Sequence, residues 1–149
     1  MIELENICQE SLVLPRTEDA VLAHLATLMQ FGGADGVRDM SLLESAIARG
    51  QMRADYDASA DCVDIASAIA FGICRNHPFV DGNKRTALAV LEGTLYFNGF
   101  VFEPKSKSDL IISMAAGELS EEEFTREVRL VTRPSPDHKR LVDMDREPP

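Results

Sequence analysis

The chain has 149 residues, a length that makes one domain and leaves no room for a second. Its composition, 45% apolar and 27% charged, is that of a folded globular protein. At this size a domain buries ~70% of its unfolded surface and needs no metal or disulfide to fold. Fifteen Lys and Arg against twenty-five Asp and Glu give a net charge of −10. That field repels phosphate backbones, which argues against direct nucleic-acid binding, and any anion must meet a local positive site.

The three cysteines, Cys8, Cys62 and Cys74, show no C-x-x-C spacing and fit a reducing compartment. Three acids precede residue 11 and no long apolar run follows, so no signal peptide is expected. No stretch reaches the ~18 apolar residues of a membrane span. These readings place the protein in the cytoplasm, away from membranes.

Helical periodicity dominates the chain. Thr17 is expected to cap a first helix with Glu18 and Asp19 in its opening turn, Val21, Leu22, Leu25, Leu28 and Met29 as its apolar face, and Gly32-Gly33 as its stop. Ser41 with Glu44 reads as a capping box for a short helix ending at Gly50. The Ala/Ile/Val-rich stretch from about Ala60 to Asn76 predicts the most buried helix. A second long helix runs from about Asn83 to Phe97, with Leu88, Leu91 and Leu95 inward and Asn98-Gly99 as its stop. Phe100–Glu103 reads as a brief extended segment. Two more helices are expected, one from near Ser108 to Ala116 and one capped by Ser120 with Glu123. The acids Glu121–Glu123 read as a solvated face. The domain is taken as residues 1–133. Residues 134–149 hold four of the seven prolines and read as a loose tail.

Two places break the rhythm. Phe31–Asp39 carries three glycines and an Asp-Gly pair, which favour a hairpin-like turn. The other is the junction between the two core helices, Arg75-Asn76-His77-Pro78-Phe79-Val80-Asp81-Gly82-Asn83-Lys84-Arg85-Thr86. A helix start carries partial positive charge and unpaired N–H groups, so acids belong there. Here Lys84 and Arg85 occupy the first turn, each costing ~0.3–1 kcal/mol against the dipole unless an anion sits nearby. Asp81 offers one charge against two. A bound phosphate chain would reverse the balance, because free N–H groups, Gly82, Lys84 and Arg85 together make an anion cradle. Asp81 would then suit Mg²⁺ shared with substrate phosphates. Pro78 keeps His77 out of mid-helix geometry, and an imidazole can take a proton near neutral pH. Phe79 is the natural plug that ties the loop to the core.

Each feature alone has a plain structural reading: a turn histidine, an Asp-Gly-Asn turn, a solvated Lys-Arg pair. A turn by itself needs no histidine, no acid and no pair of misplaced cations within nine residues. The string is not a Walker loop, and no zinc-ligand spacing is present, since His24 and His138 lie apart from the cysteines.

His77-Pro78-Phe79-Val80-Asp81-Gly82-Asn83-Lys84-Arg85-Thr86 resembles the Fic/Doc (Fido) family in its death-on-curing form. The likeness extends through the Gly-Gly and Gly36-Val37-Arg38-Asp39 segment, Leu42–Ala46 and Asn98-Gly99, about residues 12–104. It implies a mainly α Fido fold, the string between two central helices, and a small β-hairpin flap at Gly36, Val37, Arg38 and Asp39 that clamps a target peptide by strand addition. It implies His77 as the general base, Asp81 as the group positioning Mg²⁺, and Gly82, Asn83, Lys84 and Arg85 as the ATP-phosphate site.

AMP-transferring relatives usually have Gly where this chain has Lys84, and a second Arg where it has Leu88. The lysine form resembles the toxins implied to transfer the γ-phosphate to a threonine or serine, with elongation factor Tu as the familiar target. The alternatives left open are an adenylyltransferase and a catalytically silent nucleotide-binding module. Many family members carry an inhibitory S/T-x-x-x-E-G/N helix. That string is absent from this sequence, which implies a separate antitoxin with a partly disordered segment that folds on the toxin surface.

Overall fold

The computed structural model describes residues 12–103 and 107–137. Its elements are α1 (Thr17–Phe31), α2 (Met40–Tyr56), α3 (Cys62–Asn76), α4 (Asn83–Phe97), β1 (Phe100–Phe102), α5 (Lys107–Ala115), α6 (Glu121–Leu130) and β2 (Thr132–Pro134). The expected mainly helical fold is what forms. Helix α3 is its axis: eleven of its fifteen residues are buried, and α2, α4, α5 and α6 pack around it. Asp61 caps α3 in a reciprocal box with Asp64.

Small residues set the closest contact. A Cβ built on Gly50 would lie 2.6 Å from Ile69 Cδ1, and one on Gly72 would lie 3.1 Å from the Ala46 Cα. The glycines therefore let α2 and α3 touch almost backbone to backbone. This corrects the expected stop at Gly50, for α2 continues to Tyr56. A glycine buried against a neighbour in mid-helix serves packing, and its entropic penalty of about 1 kcal/mol is offset by the contact it allows.

Two caps also move. Helix α1 starts at Thr17 with Arg16 as its N-cap, and the Arg16 N–H donates to Asp19 Oδ2 at 2.8 Å. Helix α2 is capped by Asp39, whose Oδ1 accepts from the Leu42 N–H at 3.1 Å, so the Ser41–Glu44 box does not form. A carboxylate in front of the helix reaches its N3 amide, and Ser41 is already inside the helix.

The buried stripe of α1 differs most from expectation. Leu22 is 64% and Met29 90% exposed, while Ala20, His24 and Thr27 are buried. The helix turns its small and polar face inward because that face meets the junction loop, where His24 finds a hydrogen-bond partner. Leu91 and Leu95 are buried as expected, and Leu88 is half-buried.

Strand β1 pairs antiparallel with β2, Val101 opposite Arg133, and the Ser135 N–H donates to the Gly99 carbonyl at 2.8 Å. The segment 134–149 thus begins inside a strand, while residues 138–149 lie outside the described residues. Helix α6 carries the expected Ser120/Glu123 box. Its Glu121 binds Arg49 of α2 at 2.6 Å, so that acid is structural rather than part of a purely solvated face. Arg129 of α6 grips Asp61 and Asp64. Arg49, Glu121, Asp64 and Arg129 line a cleft of about 860 Å³ between α2, α3 and α6, to which no residue of the junction loop contributes.

Candidate active site

The site is built where α3 ends and α4 begins. His77 closes α3 in the left-handed region, φ 47° and ψ 55°, alone in this among the described non-glycine residues. Its N–H still donates to the Ile73 carbonyl at 3.2 Å, and Pro78 prevents another turn. A non-glycine residue there is strained, and here the surroundings hold it. Arg38 reaches across: its Nε donates to the His77 carbonyl at 2.8 Å and its Nη2 to the Asn76 carbonyl at 2.9 Å. A cation on the last carbonyls of a helix complements the helix dipole. Arg38 is thus a clasp on the chain, and the His77 side chain is left exposed.

The segment holding Arg38 is not the expected hairpin. Residues 32–39 do not pair with themselves but lie against the junction loop, with Val37 bridged to Phe79. The Val80 N–H donates to the Gly36 carbonyl at 3.0 Å, and the Pro78 carbonyl accepts from Arg38 and Asp39 N–H groups. With glycine at 32, 33 and 36 the segment lacks the side chains that hold a free hairpin together, and the loop takes its backbone partners from 78–80. Asp39 is the α2 cap described above.

Phe79, 1% exposed, is the expected plug. Asn83 clamps it: Oδ1 accepts from the Phe79 N–H and Nδ2 donates to the Phe79 carbonyl, both at 3.0 Å. The Asn83 side chain is therefore engaged within the loop.

Asp81 is exposed, and its carboxylate is oriented by the backbone. Oδ1 accepts from the Gly82 N–H at 2.8 Å and Oδ2 from the Ala34 N–H at 3.3 Å. A Cβ on Gly33 would stand 2.8 Å from Asp81 Oδ2, so glycine is what lets the preceding turn come this close. Gly82, φ +76°, makes the left-handed entry to α4, and no side chain caps that helix. The first-turn N–H groups are consequently open, with Lys84 and Arg85 exposed beside them. The Arg85 guanidinium rests over the Phe31 ring, 4.6 Å from its centroid. The structure thus gathers His77, Asp81, Gly82, Lys84 and Arg85 along one loop and one helix turn.

Four contributors escaped sequence reading: His24, Phe31, Gly33 and Ala34. His24 is buried, stacks flat on Phe79 at 4.1 Å and 9°, and places Nε2 2.8 Å from the Asp81 carbonyl. The stripe Ala20-Ala23-His24-Thr27, small residues framing a histidine, is the signal that could have marked it. Cysteine chemistry is poorly placed, for burial pushes the Cys62 thiol up to about 12 and the Cys74 thiol to about 11. No group of three metal-ligating side chains occurs among the described residues, and none of their helices is long and apolar enough to cross a membrane.

Residues 15–95 match the sequence model of the Fic/DOC family. The protein kinase doc of Escherichia phage P1 is 34% identical to this chain over 104 residues, covering 69% of this chain and 82% of that protein. The toxin Doc of Mycolicibacterium smegmatis is 46% identical over 70 residues, covering 46% of this chain and 54% of that protein. The family match takes in the whole stretch from the start of α1 into α4, including the junction that carries the exposed histidine and the uncapped helix, and so this chain belongs to the Fic/DOC family.

Proposed function

We propose that the protein is a death-on-curing toxin, a cytoplasmic protein kinase that moves the γ-phosphate of ATP to a threonine or serine hydroxyl of a translation factor, elongation factor Tu foremost. The observation that carries this reading is the start of α4: an uncapped helix N-terminus behind Gly82, flanked by two exposed cations, with Asp81 and His77 on the adjoining loop. The relative named as a protein kinase favours phosphate over AMP transfer.

In this reading the backbone N–H groups of Asn83, Lys84 and Arg85 and the two cationic side chains hold the phosphates and the charge that develops on them. Gly82 lets the chain approach the phosphates closely. Asp81 fits a single-carboxylate Mg²⁺ site, where most ligands come from water and substrate phosphate, and its two backbone hydrogen bonds leave lone pairs free. Mg²⁺ bound there supplies charge neutralisation. His77 takes the proton of the target hydroxyl; the oxygen bonds to the γ-phosphorus as the bridging P–O bond breaks and ADP departs. Residues 36–39 guide the target peptide beside His77. Control falls to a separate antitoxin carrying a partly disordered inhibitory segment, in keeping with the absent S/T-x-x-x-E-G/N string.

The test supplies ATP labelled on either the α- or the γ-phosphate to the protein with purified translation factors. The γ-label is expected on protein, and its transfer should cease when the partner antitoxin is added. Label from the α-phosphate would make the protein an adenylyltransferase instead, and transfer of neither would leave a silent binding module.

A further inference from the structure

We infer that His24 is a positioning residue of the phosphate-transfer site, the means by which α1 fixes the Asp81–Gly82 backbone. The functional consequence rests on the kinase reading above; the structural part does not. A carbonyl oxygen only accepts, so at 2.8 Å His24 Nε2 must carry the hydrogen and donate it to the Asp81 carbonyl. The ring is 1% exposed and lies 4.1 Å from Phe79 with a 9° interplanar angle, so packing sets its plane. One side chain therefore secures two points of the loop, the Phe79 plug and the peptide between Asp81 and Gly82. That peptide supplies the N–H bound to Asp81 Oδ1 and begins the turn into α4.

Core packing alone does not account for this residue. An aliphatic side chain would fill the same space and leave the Asp81 carbonyl without this donor. The neighbouring contacts serve the same end. Phe31, two helical turns along from His24, supports Arg85, and the Ala34 N–H binds Asp81 Oδ2. Helix α1 and the turn after it thus touch the Asp81 backbone, the Asp81 carboxylate and the Arg85 guanidinium.

The test compares wild type with His24→Phe, which keeps a stacking ring and removes the donor, and with His24→Gln, which returns an amide donor without the ring. In the wild-type protein, NMR should show a His24 Nε2–H proton protected from solvent exchange and coupled to the Asp81 carbonyl. His24→Phe should remain folded yet exchange the Gly82 and Asn83 amide protons faster. Its kcat should fall by about 10- to 100-fold, the scale of a small misplacement of reacting groups, with KM for ATP changed by less than about threefold. His24→Gln should recover part of kcat. An exchanging or unprotonated Nε2 in wild type overturns the inference, as does a folded His24→Phe with wild-type amide exchange and kcat. If wild type transfers no phosphate, the kinase reading fails by itself, and the two NMR measurements still decide the role of His24.

Discussion

Asn83 and Arg38 each stand where sequence suggests a ligand or substrate contact, and each is used by the chain itself. Asn83 satisfies both backbone polar groups of a buried phenylalanine, and Arg38 satisfies two carbonyls at the end of α3. Replacing Asn83 with Leu should therefore destabilise the protein by about 1–3 kcal/mol, the cost of leaving partly buried backbone groups unpaired, measured by chemical denaturation. An unchanged midpoint would mean that the clamp is incidental. His77 behaves differently, because its exposed imidazole contributes little to packing. His77→Ala should keep its melting temperature within a few degrees and lose about 10²–10⁴ in phosphate-transfer rate, the range for removing a general base. The candidate site residues are legible because side-chain type and spacing announce them. The hydrogen-bond partners of Asn83 and Arg38 are not, since whether an amide or guanidinium faces a ligand or its own backbone depends on where the partner carbonyls end up.

At the scale of elements, the sequence locates all six helices of the described residues, and Phe100–Glu103 reads as the extended segment that contains β1. It failed where a residue serves a neighbour rather than its own element. Leu22, Leu25 and Met29 look like the core face of α1, yet the helix buries Ala20, His24 and Thr27, because the loop it covers offers a carbonyl to a polar group. Strand β2 was unreadable because three residues pair with β1 across some thirty positions, and nothing local marks them. Gly50 reads as a helix stop from sequence because glycine so often is one. The α2–α3 contact that depends on it makes a prediction. Gly72→Val should cost about 1–3 kcal/mol or more, because its side chain would meet the Ala46 backbone. Thermal unfolding measures this, and an unaltered Tm would show that the two helices can part without penalty.

For the whole molecule, the acidic field and the cationic helix start oppose each other: a net charge of −10 surrounds a helix turn that carries two exposed cations. The carboxylates also make stability depend on pH at the acid end. Ser59 donates from its hydroxyl and its N–H to Asp57, with Arg53 adding to them, and holds that carboxyl to about 2 against the ordinary 3.8. A depressed folded-state value means the stabilisation is complete above the ordinary value and is lost as pH falls through about 2. Ser59→Ala should thus be less stable than wild type at neutral pH, with the gap closing between roughly pH 4 and pH 2. A gap independent of pH in denaturation curves would place the effect elsewhere. At Asp61 burial pushes the carboxyl up, but the Arg129 guanidinium and the hydrogen bonds from Asp64 together hold it below its ordinary value, whereas burial pushes the neighbouring Asp64 up.

What occupies the opening of α4 is tested most directly by a crystal structure with a non-hydrolysable ATP analogue and Mg²⁺. The phosphates should lie on the N–H groups of Asn83, Lys84 and Arg85, with the metal against Asp81 and the terminal phosphate facing His77. An analogue bound elsewhere, or a first turn of α4 left without phosphate at saturating nucleotide, would contradict the proposed function.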